Sequence, residues 1–281
     1  MSDKTAPGGD NVKVEFEGGI AWVTLNRPDK RNAMSPALNR EMMSVLDTLE
    51  VDDRCKVLVL TGAGDAFSAG MDIKEYFREV DKAMPVGVMR VQRESMGWQW
   101  RRLMFFPKPT IAMVNGWCFG GAFTPLVSCD LAVAADEAQF GLSEINWGII
   151  PAGNVMKAVA DKMTQADAQY YLLTGERFDG KKAAQTRLVN ESVPRAQLKA
   201  RVTEIAKVLM EKNPHIMSTI KLAYRRVKDM NWDESEDYLY AKAQQAYSTD
   251  PEQGRKHGMG QFLDEKSYKP GIQNYRRDDK K

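Results

Sequence analysis

Residues 114–136 read VNGWCFGGAFTPLVSCDLAVAAD, and the fold class turns on this stretch. The run TIAMV at 110–114 is short, apolar and rich in strand formers, which predicts a buried strand. The pair Gly120 and Gly121 then interrupts the pattern, and NGWCFGGAFTPLVSC leads from that strand into a helix. DLAVAA at 130–135 is a second apolar run, followed by a turn carrying AQFGLSE. A strand, a glycine turn, a helix and a further strand make an α/β class.

The same rhythm extends upstream. Two short strands are predicted at 12–16 and 20–25 across the Gly18-Gly19 turn. LNRPDKRNAMSP is a loop ending in Ser35 and Pro36, the combination of N-cap and first helical residue that starts a helix. Leu38, Met42, Val45, Leu46 and Leu49 recur at helical spacing and give that helix one buried face. A strand at 56–60 ends in the glycine-rich loop TGAGDAFSAG, and 71–106 reads as a long loop with one or two helices. The last strand is predicted at 187–192, and beyond it the chain is helical at 196–212, 216–230, 233–248 and 250–264. The expected organisation is a disordered tail at 1–11, an α/β core at 12–195 and a helical region at 196–281. Strand, turn, strand, turn and helix in succession suggest turns of an irregular α/β superhelix, but the pattern by itself reaches only an α/β enzyme with a helical extension.

Composition narrows the chemistry. The 40 basic and 38 acidic residues nearly cancel and are scattered, which argues against nucleic acid or an anionic membrane as partner. No apolar run approaches a membrane span, and MSDKTAPGGDN lacks the apolar core of a signal peptide. Cys55, Cys118 and Cys129 are odd in number and without CxxC spacing, so the expected compartment is the reducing cytoplasm. His215 and His257 are the two histidines and neither has a ligand-type neighbour, which argues against a metal site or a Ser-His-Asp triad. The loop at 61–70 lacks GxGxxG, and no GxxxxGK[ST] phosphate loop follows it.

Four blocks resemble the crotonase (enoyl-CoA hydratase/isomerase) superfamily. They are LNRPDKRNAMS at 25–35, FSAGMDIKEY at 67–76, VNGWCFGGAFTPLVSCDLAVAAD at 114–136 and FGLSEINWGIIPAG at 140–153. They occur in the family's order and span most of 12–195. The resemblance implies a crotonase-type ββα superhelical spiral core with a helical C-terminal trimerisation region, assembled as a homotrimer or a dimer of trimers. It implies an acyl-CoA thioester as the bound partner and no separate cofactor, because coenzyme A is part of substrate and product.

What the resemblance implies for the site follows the chemistry of a thioester. Attack beside the carbonyl puts negative charge on its oxygen, and preset backbone N–H groups stabilise that charge without reorganising. By position these donors are the amides of Met71 and Gly121. Gly121 lies at the predicted helix start, where free N–H groups and the helix dipole favour an anion. Glu144 holds the third-block carboxylate position and is the implied general base and acid, with Ile145 and Trp147 taken to set it beside a core. Thr124 stands where many hydratases of the family carry a second carboxylate. A hydroxyl cannot replace that group in proton transfer, but it can orient a water or a substrate hydroxyl. CoA is expected along 25–35 and 67–72, including Ala69, Gly70 and Asp72, with Lys30 and Arg31 toward its phosphates.

The hydroxyl at 124 narrows the resemblance. With IKE followed by Tyr76, EDYLYAK in the C-terminal part, GWCFGG, SEINWGI and FLDEKSYKPGIQNY, the chain resembles hydroxycinnamoyl-CoA (feruloyl-CoA) hydratase-lyases. In that group two tyrosines contact the phenolic oxygen of the substrate. By position they are Tyr76 and Tyr240, the latter reaching in from a neighbouring subunit. The implied activity is a lyase converting feruloyl-CoA and water to vanillin and acetyl-CoA. Two further readings stay open at this point: a hydratase or isomerase of aliphatic acyl-CoA, and a non-catalytic crotonase-like protein that binds RNA or serves as a scaffold.

Overall fold

The structure, a computed structural model, describes residues 6–79, 82 and 85–277. They form two compact units, one reaching to Phe106 and resuming at Thr110–Ala206, the other formed by Pro107–Pro109 and the chain from Lys207 onward. The first unit holds the strands. The antiparallel pair β1 (Val12–Glu17) and β2 (Ile20–Leu25) turns at Gly18 and Gly19, both at positive φ, with Glu17 opposite Ile20. β1 alternates buried and exposed residues as an edge strand does. Helix α1 (Pro36–Val51) follows, its first turn closed by Ser35, whose side chain accepts from Leu38 N–H at 3.2 Å. Its buried face is the predicted set Leu38, Met42, Val45, Leu46 and Leu49, together with Asn39.

Next come β3 (Val57–Gly62), β4 (Ala66–Ser68), a π-helical segment at Ile73–Glu79, α2 (Pro85–Met96) and a second π-helical segment at Gly97–Arg102. β5 (Thr110–Val114) and β6 (Trp117–Phe119) lead through a 3₁₀ turn at Gly120–Ala122 into α3 (Phe123–Ser128). β7 (Leu131–Ala135) and β8 (Gln139–Gly141) precede a 3₁₀ turn at Ser143–Trp147, α4 (Val155–Lys162) and α5 (Gln165–Thr174). β9 (Arg177–Asp179), α6 (Gly180–Gln185), β10 (Glu191–Val193) and α7 (Arg195–Met210) follow.

The strands sort into two sheets, ordered β1-β2-β3-β5-β7-β10 and β4-β6-β8-β9. Beyond the first hairpin the large sheet is parallel throughout. β3 at its centre is buried at all six positions, VLVLTG, as a strand covered on both faces must be. In each of the pairs β3–β4, β5–β6 and β7–β8 the chain gives one strand to the large sheet and the next to the small sheet before turning into helix. That repeat is the ββα spiral expected from the blocks. The short strands were not expected: 66–68 lay inside the predicted glycine loop, 117–119 inside the approach to a helix and 139–141 inside a turn. Each is three residues long, too short to show a period.

Other boundaries move for local reasons. The last strand is Glu191–Val193 rather than 187–192, because Arg187 takes a left-handed φ of 65° and Asn190 turns its side chain onto Ala132 N–H at 2.8 Å. In the second unit, α8 (Pro214–Val227) and α9 (Trp232–Thr249) lie near their expected places, each with an asparagine N-cap. The helix expected at 250–264 divides. Asp250 ends α9 and accepts from the amides of Glu252 and Gly254, so α10 starts at Gly254 and runs to Met259 before a π-helical segment at Gly260–Asp264. Of the tail expected to be disordered at 1–11, residues 1–5 lie outside the described residues. Asn11 is held by Glu41 through its amide at 2.9 Å and its side chain at 2.6 Å, and Gly9 N–H donates to Val12. No described helix is long and apolar enough to cross a membrane.

Asn32 is the polar group on which the first unit's loops converge. It is fully buried, takes φ 56°, donates to the carbonyls of Ala63 and Ala66 at 2.9 and 2.7 Å, and accepts from Arg27 N–H at 2.9 Å. Asn32→Ala removes the side-chain partner of three backbone groups, one buried and two part-buried, and a buried group left unsatisfied costs about 1–3 kcal/mol. Denaturant unfolding of this variant is expected to show a loss of at least about 2 kcal/mol. A change below about 0.5 kcal/mol would remove Asn32 from this role.

Candidate active site

The geometry around Met71 and Gly121 starts with two loops zipped together. Ala69 N–H donates to Arg31 O at 2.8 Å, Met34 N–H to Gly70 O at 2.8 Å and Asp72 N–H to Met34 O at 3.1 Å. Ser68 ties the same pair from below, donating its hydroxyl to Asn32 O at 2.8 Å and accepting from Gly70 N–H at 3.1 Å. In a trans peptide the N–H points opposite to the C=O. With the Gly70 carbonyl fixed on Met34, the Met71 N–H is turned the other way, and among the described residues it has no protein acceptor.

Gly121 meets it there. Gly70 has φ 89°, and a β-carbon on it would lie 3.0 Å from Gly121 N and 2.7 Å from Phe119 O. A β-carbon on Gly121 would lie 3.4 Å from Met71 N. The two amides are therefore neighbours because neither glycine has a side chain. Gly121 sits in the leading turn of the 3₁₀ segment that runs into α3, where N–H groups have no intrahelical acceptor. Two adjacent N–H groups at the start of a helical segment suit an oxygen that gains negative charge.

Glu144 closes the site. A β-carbon on Gly120, at φ 52°, would stand 2.9 Å from Glu144 Oε1. Its other oxygen, Oε2, is buried with no hydrogen-bond partner among the described residues. Burial pushes the Glu144 carboxyl above the ordinary carboxylate range, against a smaller downward pull from its own backbone N–H. The cause differs from the one read in the sequence. Ile145 and Trp147 are 46% and 64% exposed, so they supply no core, and it is the Gly120 backbone that the carboxylate abuts. An unpaired carboxylate of raised affinity for protons, beside an anion cradle, is equipped to take and return a proton.

The other site candidates fall into place unequally. Thr124 is buried, and its hydroxyl donates to Gly153 O at 2.8 Å, which leaves its oxygen lone pairs to accept from a water or a substrate hydroxyl. Tyr76 is half-buried, and burial raises its phenol above the usual value, with the Ser95 side chain acting in the opposite sense. Asp72, expected along the bound CoA, is turned inward. It pairs with Arg27 at 2.9 Å and accepts from the amides of Lys74 and Glu75 at 3.1 and 2.9 Å. Burial alone would raise its carboxyl, but these donors and the Arg27 charge hold it below the usual range. Asp72 thus positions the loop that carries Met71. Ala69 and Gly70 lie in the zipped strand of that loop. Lys30 and Arg31 are exposed on the adjoining one, with the Arg31 guanidinium 4.6 Å from the centre of the Trp117 ring. Tyr240 belongs to the second unit, on α9, and is 67% exposed.

Asn32, Ser68, Arg27, Ser95 and Gln99 were not singled out from the sequence. Asn32 and Arg27 lie inside the first block and Ser68 inside the second, but nothing in their spacing shows that they bond to each other. Ser95 and Gln99 carry no signal beyond being polar at positions that prove buried. Among the described residues no three or more His, Cys, Asp or Glu side chains gather as a metal would require.

Residues 15–270 match the family model for enoyl-CoA hydratase/isomerase. The chain belongs to that family. Among its relatives is the hydroxycinnamoyl-CoA hydratase-lyase of Pseudomonas fluorescens, 58% identical over 266 residues, covering 95% of this chain and 96% of the relative. The short-chain-enoyl-CoA hydratase of Clostridium acetobutylicum is 29% identical, covering 94% and 98% of the two chains. Among solved structures, an enoyl-CoA hydratase subunit I of Geobacillus kaustophilus HTA426 superposes with a TM-score of 0.81 at 30% identity, covering 94% and 98%. The crotonase fold and the acyl-CoA thioester as ligand class follow from membership.

The Glu144 shift has a definite sign in stability. Its folded-state carboxyl holds a proton more tightly than the unfolded one, so stability is full at acid pH and is lost as pH rises through the raised value. Glu144→Gln escapes that loss. It is expected to raise Tm at pH 8 and to match the wild type at acid pH. A constant difference across that range would mean the carboxyl is not shifted by burial.

Proposed function

We propose that this enzyme is a hydratase-lyase of feruloyl-CoA and related 4-hydroxycinnamoyl-CoA thioesters, giving vanillin or another 4-hydroxybenzaldehyde and acetyl-CoA. The observation that carries the reading is the Glu144 carboxyl lying against Gly120, next in sequence to the Gly121 amide of the cradle, with the hydroxyl residue Thr124 three positions on. The near-full-length similarity to a hydroxycinnamoyl-CoA hydratase-lyase supports it.

In this reading the thioester oxygen rests on the two amide N–H groups. Glu144 takes a proton from water as its oxygen adds to the β-carbon, the electron pair moving into the thioester as an enolate. Glu144 then returns the proton to the α-carbon. In the second stage Glu144 takes the β-hydroxyl proton, the bond between α- and β-carbons breaks, and its electron pair again forms the enolate. Protonation of that enolate by Glu144 releases acetyl-CoA and the aldehyde. Both stages place charge on one oxygen, so one cradle serves both, and a single group serves as base and acid. Thr124 accepts a hydrogen bond from the water or the β-hydroxyl.

Tyr76 and Tyr240 take the 4-oxygen of the ring, Tyr240 from a second subunit of a homotrimer or dimer of trimers. Its exposure on α9 supports that placement. Lys30 and Arg31 meet the phosphates of CoA. The compartment is the reducing cytoplasm, a placement supported by three buried cysteine thiols and checked by cell fractionation.

Purified protein given feruloyl-CoA and no added cofactor is expected to release vanillin and acetyl-CoA in equal amounts, and Glu144→Ala to lose at least about 10²-fold in rate. A hydrated adduct without cleavage, or turnover of crotonyl-CoA in preference to feruloyl-CoA, would return the function to an aliphatic hydratase or isomerase. Sedimentation as a monomer would remove Tyr240 from the site.

A further inference from the structure

Gln99, in the π-helical segment at Gly97–Arg102, is 1% exposed, and its side-chain amide faces sulfur. Its Nε2 lies 3.4 Å from Met71 Sδ, 3.6 Å from Met34 Sδ and 2.9 Å from Ser95 Oγ. A thioether accepts hydrogen bonds and donates none, so the end of the amide turned to both sulfurs is its NH₂ group. One N–H serves the sulfurs and the other serves the Ser95 hydroxyl. Burying an amide is costly, and a thioether offsets little of that because it is a weak acceptor. An apolar side chain of the same length would fill the position with less desolvation, so stability does not account for Gln99. The two sulfurs belong to the two residues whose backbones set the cradle. Met34 and Met71 pair as an isolated parallel bridge, with Met34 N–H on Gly70 O and Asp72 N–H on Met34 O. The Met71 side chain also packs on Gly121, where a β-carbon would lie 3.0 Å from Met71 Cγ and 3.3 Å from its Sδ. The thioether thus meets both Gln99 and the glycine that carries the second amide.

We propose that Gln99 is a positioning residue of the oxyanion cradle: its amide holds the Met71 thioether against Gly121 and so fixes the spacing of the two N–H groups. The proposal rests on the reading that the Met71 and Gly121 amides take the thioester oxygen. Gln99 acts through Met71, 28 positions away in sequence, and through Met34, 65 positions away. It therefore grips both sides of the zipped loops by their side chains, where Ser68 and Asn32 grip them by their backbones. Charge on the thioester oxygen is greater in the transition state than in the ground state. A loosened cradle therefore lowers kcat and leaves KM almost unchanged.

The test is a double-mutant cycle. Gln99→Met keeps the length of the side chain and removes both donors, whereas Met71→Leu keeps the backbone amide and removes the sulfur. Each is expected to lower kcat about three- to tenfold with KM within about twofold of the wild type, and Gln99→Met to keep the wild-type Tm or exceed it. The double variant is expected to match the single ones within about twofold, because the two side chains act as one unit. A kcat within about twofold of the wild type, a loss confined to KM, or losses that multiply in the double variant would overturn the proposal. Rates are read on feruloyl-CoA, or on crotonyl-CoA where that is the thioester turned over, so failure of the ring assignment does not decide this test. The carbonyl stretch of bound dihydroferuloyl-CoA, which cannot be hydrated, separates the cradle from its anchor. The expected result is a wild-type stretch below its frequency in water that moves part of the way back in Gln99→Met. A wild-type stretch at its frequency in water would remove the cradle and the proposal with it, and an equal displacement in both proteins would remove Gln99 alone.

Discussion

The hydrogen bond from Met34 N–H to the Gly70 carbonyl, 2.8 Å long, is the constraint on which the site depends. It fixes the plane of one peptide, and the plane fixes the direction of the Met71 N–H. Everything that holds Met34 and Gly70 in register therefore acts on the cradle. Asn32, Ser68 and the Arg27–Asp72 pair all do so, and each is buried or nearly so. Backbone donors preorganised in this way stabilise a developing charge because they have little left to reorganise when it appears.

A second constraint is the absence of side chains where the two loops and the carboxylate meet. Gly70, Gly120 and Gly121 bring Met71 N, Gly121 N and Glu144 Oε1 within a few ångströms of positions a β-carbon would fill. The positive φ values at Gly70 and Gly120 make alanine unfavourable on conformational grounds as well. Glu144 gains its proton affinity from the same crowding. The price is a carboxylate oxygen buried without a partner, a local loss of stability of the kind that functional sites retain.

The sequence carried the fold further than it carried the site. β2 and β5 were legible to the residue and α1 at its start and on its buried face, because six- and five-residue apolar runs and a Ser-Pro helix start are strong local signals. The small sheet was not, since three-residue strands such as Trp117–Phe119 show neither period nor length, and their pairing is entirely non-local. Met71, Gly121 and Glu144 were named through the resemblance of whole blocks. The geometry then put them together. Asp72 was read as lining the ligand, yet it is paired inward with Arg27, which lies 45 positions away and is invisible to any local reading. Ile145 and Trp147 were taken as core because they are apolar, but a residue's type does not say which side of a 3₁₀ turn it occupies.

The central claim is that the Met71 and Gly121 amides donate to the thioester oxygen, and it is open to direct spectroscopic measurement. The saturated analogue dihydroferuloyl-CoA, labelled with ¹³C at the thioester carbonyl, cannot be hydrated and reports the ground state of the bound carbonyl. Isotope-edited infrared difference spectra of the analogue on the enzyme are predicted to show the carbonyl stretch moved to lower frequency than in water, with a narrower band, as two fixed donors require. A band at or above its frequency in water would contradict the account.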